Sequence, residues 1–198
     1  MINKNIFYKF QKTKKMNTQE FDYYLIDSKD DQTYPLVKEV GYEPDEINPT
    51  LIEIAFNDPI PRKPVMADLL EGADYFINQK IADVIIGLKL DYIKLTDTKW
   101  VGRQKNITEK YYHLNVDNTI EAMDKEKSEY VYKYRVYSIR QFVLDREALK
   151  KIPLEKRLVF SLREALSNVV FHKSVVDAIM AVNPTGLQFR TIEGFGDF

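Results

Sequence analysis

The sequence contains no cysteine, and this absence excludes several classes of protein at once. Without a thiol there is no disulfide framework, no thiolate zinc site, no iron–sulfur ligation and no cysteine nucleophile. Stability must come from an ordinary hydrophobic core, which a chain of 198 residues with 44% hydrophobic side chains can build as one domain. A chain without disulfides suits a reducing compartment, and we expect a cytoplasmic protein.

An excess of charge of either sign is also missing, because 29 Lys and Arg face 30 Asp and Glu for a net charge of −1. The basic balance typical of nucleic-acid and membrane-surface proteins is therefore absent, and we expect neither partner. Long apolar runs are absent too, since the longest, such as residues 84–86 and 169–171, fall far short of the roughly 20 residues of a transmembrane helix. Lysines interrupt residues 1–19 wherever a signal peptide needs its apolar core. We expect a basic lead-in over residues 1–19 and a single α+β domain over 20–198.

Catalytic and cofactor motifs are not recognisable. The glycines are scattered and form no phosphate-binding loop, and no serine has the flanking glycines of a nucleophile elbow. The two histidines, His113 and His172, lack the spacing of a metal site, so we expect a structural role for each and no metal, cofactor or catalytic residue. With 30 acids in the chain, a carboxylate pair that folding brings together stays open. The alternative function is thus a cytosolic enzyme that uses carboxylates or a lone histidine.

An internal repeat is the most informative pattern in the chain. Residues 76–86 align without gaps with residues 170–180, 94 positions further on. Each copy has an apolar strand end, a polar residue able to cap a helix (Asn78 or His172), an amphipathic helix and a second strand. We therefore predict an α+β fold with mixed sheets, in which a strand–helix–strand unit is duplicated over residues 74–95 and 168–190 as two pseudo-repeated halves of one domain. Chance alignment of two common segments is the alternative.

Further elements follow from alternating apolar positions and turn residues. We predict strands over residues 21–26, 51–56, 130–137 and 157–161, and a short helix capped by Asp145. The segment 130–137 alternates so strictly that one face is expected to meet the core, and the other is either a contact surface or simply solvated. Residues 27–58 hold nine acids and two bases, and their prolines predict irregular loops around the one strand at 51–56.

Two regions resemble a known family. Residues 111–130 lead from a strand through an Asn-containing turn to Asp124, with Ser128 four positions later, and residues 158–162, 170–174 and 186–189 follow a matching C-terminal pattern. Both are similar to motifs of immunity protein family eleven of bacterial polymorphic-toxin systems. The resemblance covers roughly residues 20 to 190. It implies a cytosolic antidote without catalytic residues, whose partner is a cognate toxin encoded by a neighbouring gene.

The resemblance also directs attention to possible contact residues. If the toxin has a cationic groove, an acidic patch would steer the association, and the acidic stretch 27–58 is the candidate. Tyrosines there could anchor the partner, because aromatic residues carry much interface energy. The candidate toxin-binding residues are Asp30, Asp31, Tyr34, Tyr42, Asp45 and Glu46; a solvated acidic loop is the alternative. We expect Asp124 and Ser128 to stabilise a turn rather than to contact the toxin.

Overall fold

The computed structural model describes residues 18–29, 32–43, 47 and 49–196. In this part of the chain the strands, in chain order, are β1 (Tyr23–Ser28), β2 (Val37–Glu43), β3 (Leu51–Phe56), β4 (Leu69–Glu71), β5 (Tyr75–Asn78), β6 (Ile93–Trp100), β7 (Tyr111–Val116), β8 (Thr119–Ile120), β9 (Glu129–Lys133), β10 (Val136–Gln141), β11 (Val159–Leu162), β12 (Ala165–His172) and β13 (Leu187–Thr191). The helices are α1 (Gln79–Leu88), α2 (Arg146–Lys150) and α3 (Lys173–Met180). No described helix is long and apolar enough to span a membrane.

The strands form two mixed sheets and a separate hairpin. One sheet has the order β13-β1-β12-β11-β8, the other has the order β2-β3-β6-β7-β5-β4, and β9 pairs with β10. Helices α1 and α3 contact each other and supply the centre of a hydrophobic core that both sheets cover. Two further cores lie on the opposite faces of the sheets. The predicted fold class, α+β with mixed sheets and a duplicated unit in a single domain, is confirmed.

The two strand–helix–strand units share more than their order of elements. In the first unit β7 lies between β5 and β6, and in the second unit β1 lies between β12 and β13, always antiparallel to its neighbours. Each unit is therefore a split βαβ motif with an inserted third strand. The helix caps agree as well, because Asn78 accepts a hydrogen bond from the Ile81 N–H and His172 accepts one from the Ser174 N–H.

The pairing register of the inserted strand is the same in both units. Asn78 faces Tyr111 as His172 faces Tyr23, and Ile93 faces Val116 as Leu187 faces Ser28. Two unrelated segments would not reproduce both registers, so the duplication extends to a third strand. If the chain is divided between β6 and β7, each unit takes its inserted strand from the other part, β1 for the later unit and β7 for the earlier one. We call this reciprocal arrangement the strand exchange.

The six-stranded sheet curls until its two edges meet. Gly72, just after β4, lies so close to β2 that a Cβ atom there would stand 1.9 Å from the Val37 carbonyl oxygen. Apolar side chains fill the interior of the curl, among them Ile54, Phe76 and Trp100. The curl therefore brings side chains of β2 beside those of β5 and β7, although two strands separate β2 from β7 in the sheet.

Two predictions of local structure are wrong. The continuous strand at 130–137 is a hairpin, because Tyr134 and Arg135 adopt left-handed φ angles of +53° and +66° and turn the chain back. Tyrosine and arginine are not turn formers, so nothing in the residue types marked the break. The irregular stretch 27–58 also contains a seven-residue strand, β2, which pairs with β3. Tertiary pairing outweighs the weak local preference there.

Candidate partner surface and polar cluster

The tip of the β9–β10 hairpin presents large side chains to solvent. Tyr134 is 86% exposed, Val136 62% and Tyr132 56%. Their neighbours hold the hairpin in place, since Ile139 is buried and Tyr130 and Tyr137 pack against the second core. Exposed aromatic and apolar residues that cluster on one rigid element are typical of protein–protein contact surfaces.

The turn of this hairpin has an unusual composition. Two-residue hairpin turns with positive φ at both positions favour Asn-Gly, because other L residues suffer a clash between Cβ and the backbone. Tyr134 and Arg135 occupy these positions with φ angles of +53° and +66°. Each such residue lowers stability by on the order of 1 kcal/mol. Burial does not offset this loss for Tyr134, because its side chain is almost fully exposed.

An open groove of about 570 Å³ adjoins the hairpin. Tyr132, Arg135 and Val136 line one side, and Arg163 and Leu166 of the β11–β12 connection and β12 line the other. Leu166 is 66% exposed, so the groove lining combines an exposed apolar side chain with two arginines. Such a surface fits a partner that offers apolar side chains together with carboxylates or carbonyl oxygens.

Glu164 forms the floor of the groove and is buried. Its Oε1 atom accepts hydrogen bonds from the N–H groups of Ala122 at 3.1 Å and Met123 at 2.9 Å. Burial raises the pKa of the Glu164 carboxyl, and the backbone hydrogen bonds lower it in part. Because both contacts tie the β11–β12 turn to the loop before the hairpin, Glu164 supports the shape of the groove.

A second feature is a polar cluster on the inner side of the curled sheet, formed by Glu39, Asp74 and His113. The Nε2 atom of His113 lies 3.8 Å from Oε1 of Glu39 and 3.6 Å from Oδ2 of Asp74. One candidate ligand atom from each residue lies within 4.8 Å of the other two. The nearby His113 imidazole holds the pKa of the Asp74 carboxyl below its usual range, although partial burial opposes the shift.

Two atoms of this cluster lack a hydrogen bond in the described part of the chain. Glu39 Oε1 and His113 Nε2 are both buried and have no such partner there. The other oxygen of Glu39 accepts a hydrogen bond from the Tyr42 hydroxyl, which fixes the carboxylate in place. Sequence spacing could not reveal the cluster, because its members come from three distant segments that only the curl of the sheet brings together.

The candidate toxin-binding residues are placed as follows. Asp30, Asp31, Asp45 and Glu46 lie outside the described residues. Tyr34 is half-buried and packs against the third core beside Gly186. Tyr42 is half-buried as well and is engaged with Glu39. Both tyrosines therefore lie at the edge of the third core, partly buried.

The two family-motif residues both belong to the turn before β9. Asp124 accepts hydrogen bonds from the N–H groups of Glu126 and Lys127 at 3.1 and 3.2 Å. The Ser128 hydroxyl accepts a hydrogen bond from the Val143 N–H at 2.9 Å. These contacts are those of a capped turn that attaches the start of the hairpin to the segment following it.

Such a fold places the chain among α+β proteins built on mixed sheets. Over residues 7–194 it matches the family model described as Immunity protein family (Imm11). The chain belongs to this family, and the resemblance drawn from residues 111–130 and the C-terminal pattern is confirmed. Among curated proteins no match is found.

Proposed function

We propose that this protein is an antidote that binds a cognate toxin domain and neutralises it, in the cytoplasm of the cell that makes both. The observation that carries the proposal is membership of an immunity protein family over nearly the whole chain. In this proposal the toxin is encoded by a neighbouring gene, and the protein acts by binding and performs no catalysis. Neither nucleic acid nor membrane is a partner.

The hairpin and the groove beside it are the proposed contact surface. Tyr132 and Tyr134 are exposed aromatic residues on a supported element, and Arg135 lines the groove together with Tyr132. Aromatic residues and arginine dominate binding energy at interfaces, because they bury large areas at a small cost in side-chain entropy. The unfavourable turn supports the same proposal, since a residue pair that lowers stability is expected where function needs it.

The acidic segment has a different role in the proposal. Asp30, Asp31, Asp45 and Glu46 steer a cationic toxin towards the antidote through long-range attraction, and Tyr34 and Tyr42 are the aromatic contacts beside them. Steering changes the association rate and depends on salt, whereas the anchors of a close interface change mainly the dissociation rate. The two surfaces can therefore be tested separately in one experiment.

The experiment measures binding kinetics between the purified protein and the toxin domain of the neighbouring gene, carrying an inactivating substitution. Alanine at Tyr132 and Tyr134 is expected to raise the dissociation rate by about tenfold or more. Ile86→Ala, at an exposed apolar residue of α1, is the matched control and should leave it unchanged. Charge reversal of the four acids should slow association at low salt, and reversal of Asp91, Glu109, Glu126 and Glu155 should do so less.

The outcomes separate the proposals. Absence of any complex with the toxin would overturn the antidote function itself. A complex whose dissociation rate is unchanged by alanine at Tyr132 and Tyr134 would overturn the hairpin as the contact surface. If charge reversal slows association equally in both sets of acids, the effect comes from overall charge, and the acidic segment has no special role in steering.

The alternative enzymatic function has one observation in its favour, since folding does bring two carboxylates to His113. Two cavities of the described residues, of about 140 and 570 Å³, are lined by other side chains. A substrate pocket at the cluster is therefore not among them, and the proposal of a binding protein stands ahead of it.

A further inference from the structure

The cluster of Glu39, Asp74 and His113 has the donor set of a metal site. It offers one imidazole nitrogen and two carboxylate oxygens, a combination that suits Zn²⁺ and similar divalent transition metals. Two ligand atoms about 2.1 Å from one zinc ion at the tetrahedral angle lie roughly 3.4 Å apart. In the structure, the separations from His113 Nε2 are 3.6 and 3.8 Å, only slightly longer.

Burial and hydrogen bonding set this cluster apart from a group of surface acids. The side chains of Glu39 and His113 are each only 16% exposed, and the two atoms that point into the cluster have no hydrogen-bond partner in the described part of the chain. A buried carboxylate oxygen and a buried imidazole nitrogen that lack hydrogen bonds are costly unless something else satisfies them. A metal ion would satisfy both atoms at once.

The surroundings supply what a metal site needs beyond its ligands. The Tyr42 hydroxyl donates a hydrogen bond to the second oxygen of Glu39, as outer residues do to orient a metal-binding carboxylate. The ring of Phe76 packs against His113 with its centroid 5.6 Å away and fixes the imidazole. Asp74 is 53% exposed, which leaves a path for the ion and a coordination position open to solvent.

We propose that Glu39, Asp74 and His113 bind one divalent metal ion of the zinc class, which joins strand β2 to the β4–β5 turn and strand β7. The ion would lock the meeting edges of the curled sheet, because its ligands come from both sides of that junction. Metal binding is measured without the toxin, so its outcome does not depend on the proposed antidote function. The competing hypothesis is that His113 pairs directly with both carboxylates and that the cluster binds no ion.

The test uses the full chain, stripped of metal with a chelator and titrated with Zn²⁺ alone in a calorimeter. We expect one ion per chain and a melting temperature that rises with Zn²⁺, because an ion that binds only the folded state stabilises it. With Co²⁺ instead, the visible absorption should show coordination by nitrogen and oxygen. Absence of stoichiometric binding at about 100 µM Zn²⁺ would overturn the metal site and leave direct pairing of His113 with the carboxylates as the explanation.

Variants assign the ion to the site. Asp74→Asn is the principal variant, because Asp74 lies in an exposed turn where the fold tolerates the change, and it should weaken Zn²⁺ binding by more than about tenfold. Asp97→Asn removes a similarly exposed carboxylate from β6 and should bind as the unaltered protein does. Tyr42→Phe should weaken binding by about tenfold through the orientation of Glu39. Equal affinity in Asp74→Asn and Asp97→Asn would overturn the site.

Discussion

His172 shows how one residue can couple the fold to pH. Its Nδ1 atom accepts a hydrogen bond from the Ser174 N–H and so caps the helix. The ring must stay neutral for this role, because a protonated Nδ1 cannot accept a hydrogen bond. Burial is the main reason that the pKa of His172 falls to about 4, and the nearby Arg157 guanidinium lowers it further. The unfolded chain instead takes up the proton near the ordinary value of 6.5.

The pH dependence of stability follows from this difference. As pH falls from about 6.5 towards 4, His172 is protonated in the unfolded state but stays neutral in the folded state. The free energy of unfolding therefore drops by up to roughly 3 kcal/mol over this range. His172→Asn keeps a capping side chain, like Asn78 in the first unit, but asparagine has no group that titrates in this pH range. Urea unfolding at pH 7, 5.5 and 4.5 should therefore show a smaller loss in the variant. Equal slopes would contradict the assignment.

At the residue scale, helix caps could be predicted from the sequence, whereas contacts between residues far apart in the chain could not. The caps Asn78, His172 and Asp145 follow from short-range patterns, and the structure has all three in place. The meeting of Glu39, Asp74 and His113 depends on how far a sheet curls, which no local pattern encodes. Both histidines read as isolated in the sequence, and the curl of the sheet places one of them between two carboxylates.

At the scale of elements, the hairpin turn offers a direct test of its cost. Replacing Tyr134 and Arg135 by Asn and Gly would supply the residues that positive φ angles prefer. We expect the free energy of unfolding to rise by about 1 kcal/mol, because glycine removes the Cβ clash at position 135, Asn tolerates the left-handed region at position 134, and few native contacts are lost. Denaturant unfolding measures this gain, and toxin affinity should fall in the same variant. A variant that is both less stable and fully active would show that the turn serves the fold.

The elements also show where sequence patterns reach their limit. Strand β3 was predicted with its observed bounds, Leu51–Phe56, and the helices of both units follow the predicted apolar spacing. The hairpin was missed because Tyr134 and Arg135 continue the alternation of the strand before them. The duplication was visible only around the helices, since the inserted strands repeat at a spacing of 88 positions, from Tyr23 to Tyr111, rather than 94.

For the molecule as a whole, the closed curl of the six-stranded sheet rests on a glycine. A Cβ atom at position 72 would stand 1.9 Å from the Val37 carbonyl oxygen, a backbone atom that cannot move aside alone. Gly72→Ala should therefore lower the free energy of unfolding by about 2 kcal/mol as the edges separate. Gly87→Ala in α1 is the control, since nothing lies within 4 Å of a Cβ there and helix propensity should raise stability by up to about 1 kcal/mol. Equal effects in denaturant unfolding would contradict the contact.

The strand exchange makes the two halves of the molecule complementary fragments. A cut between β6 and β7 would divide the chain into a piece that carries β1 and a piece that carries β7, each holding the strand that fills the gap in the other's sheet. Neither piece could complete its own native sheet, and together they could rebuild both. The protein is in this sense a covalently joined heterodimer of related halves, and its stability is inseparable from their mutual recognition.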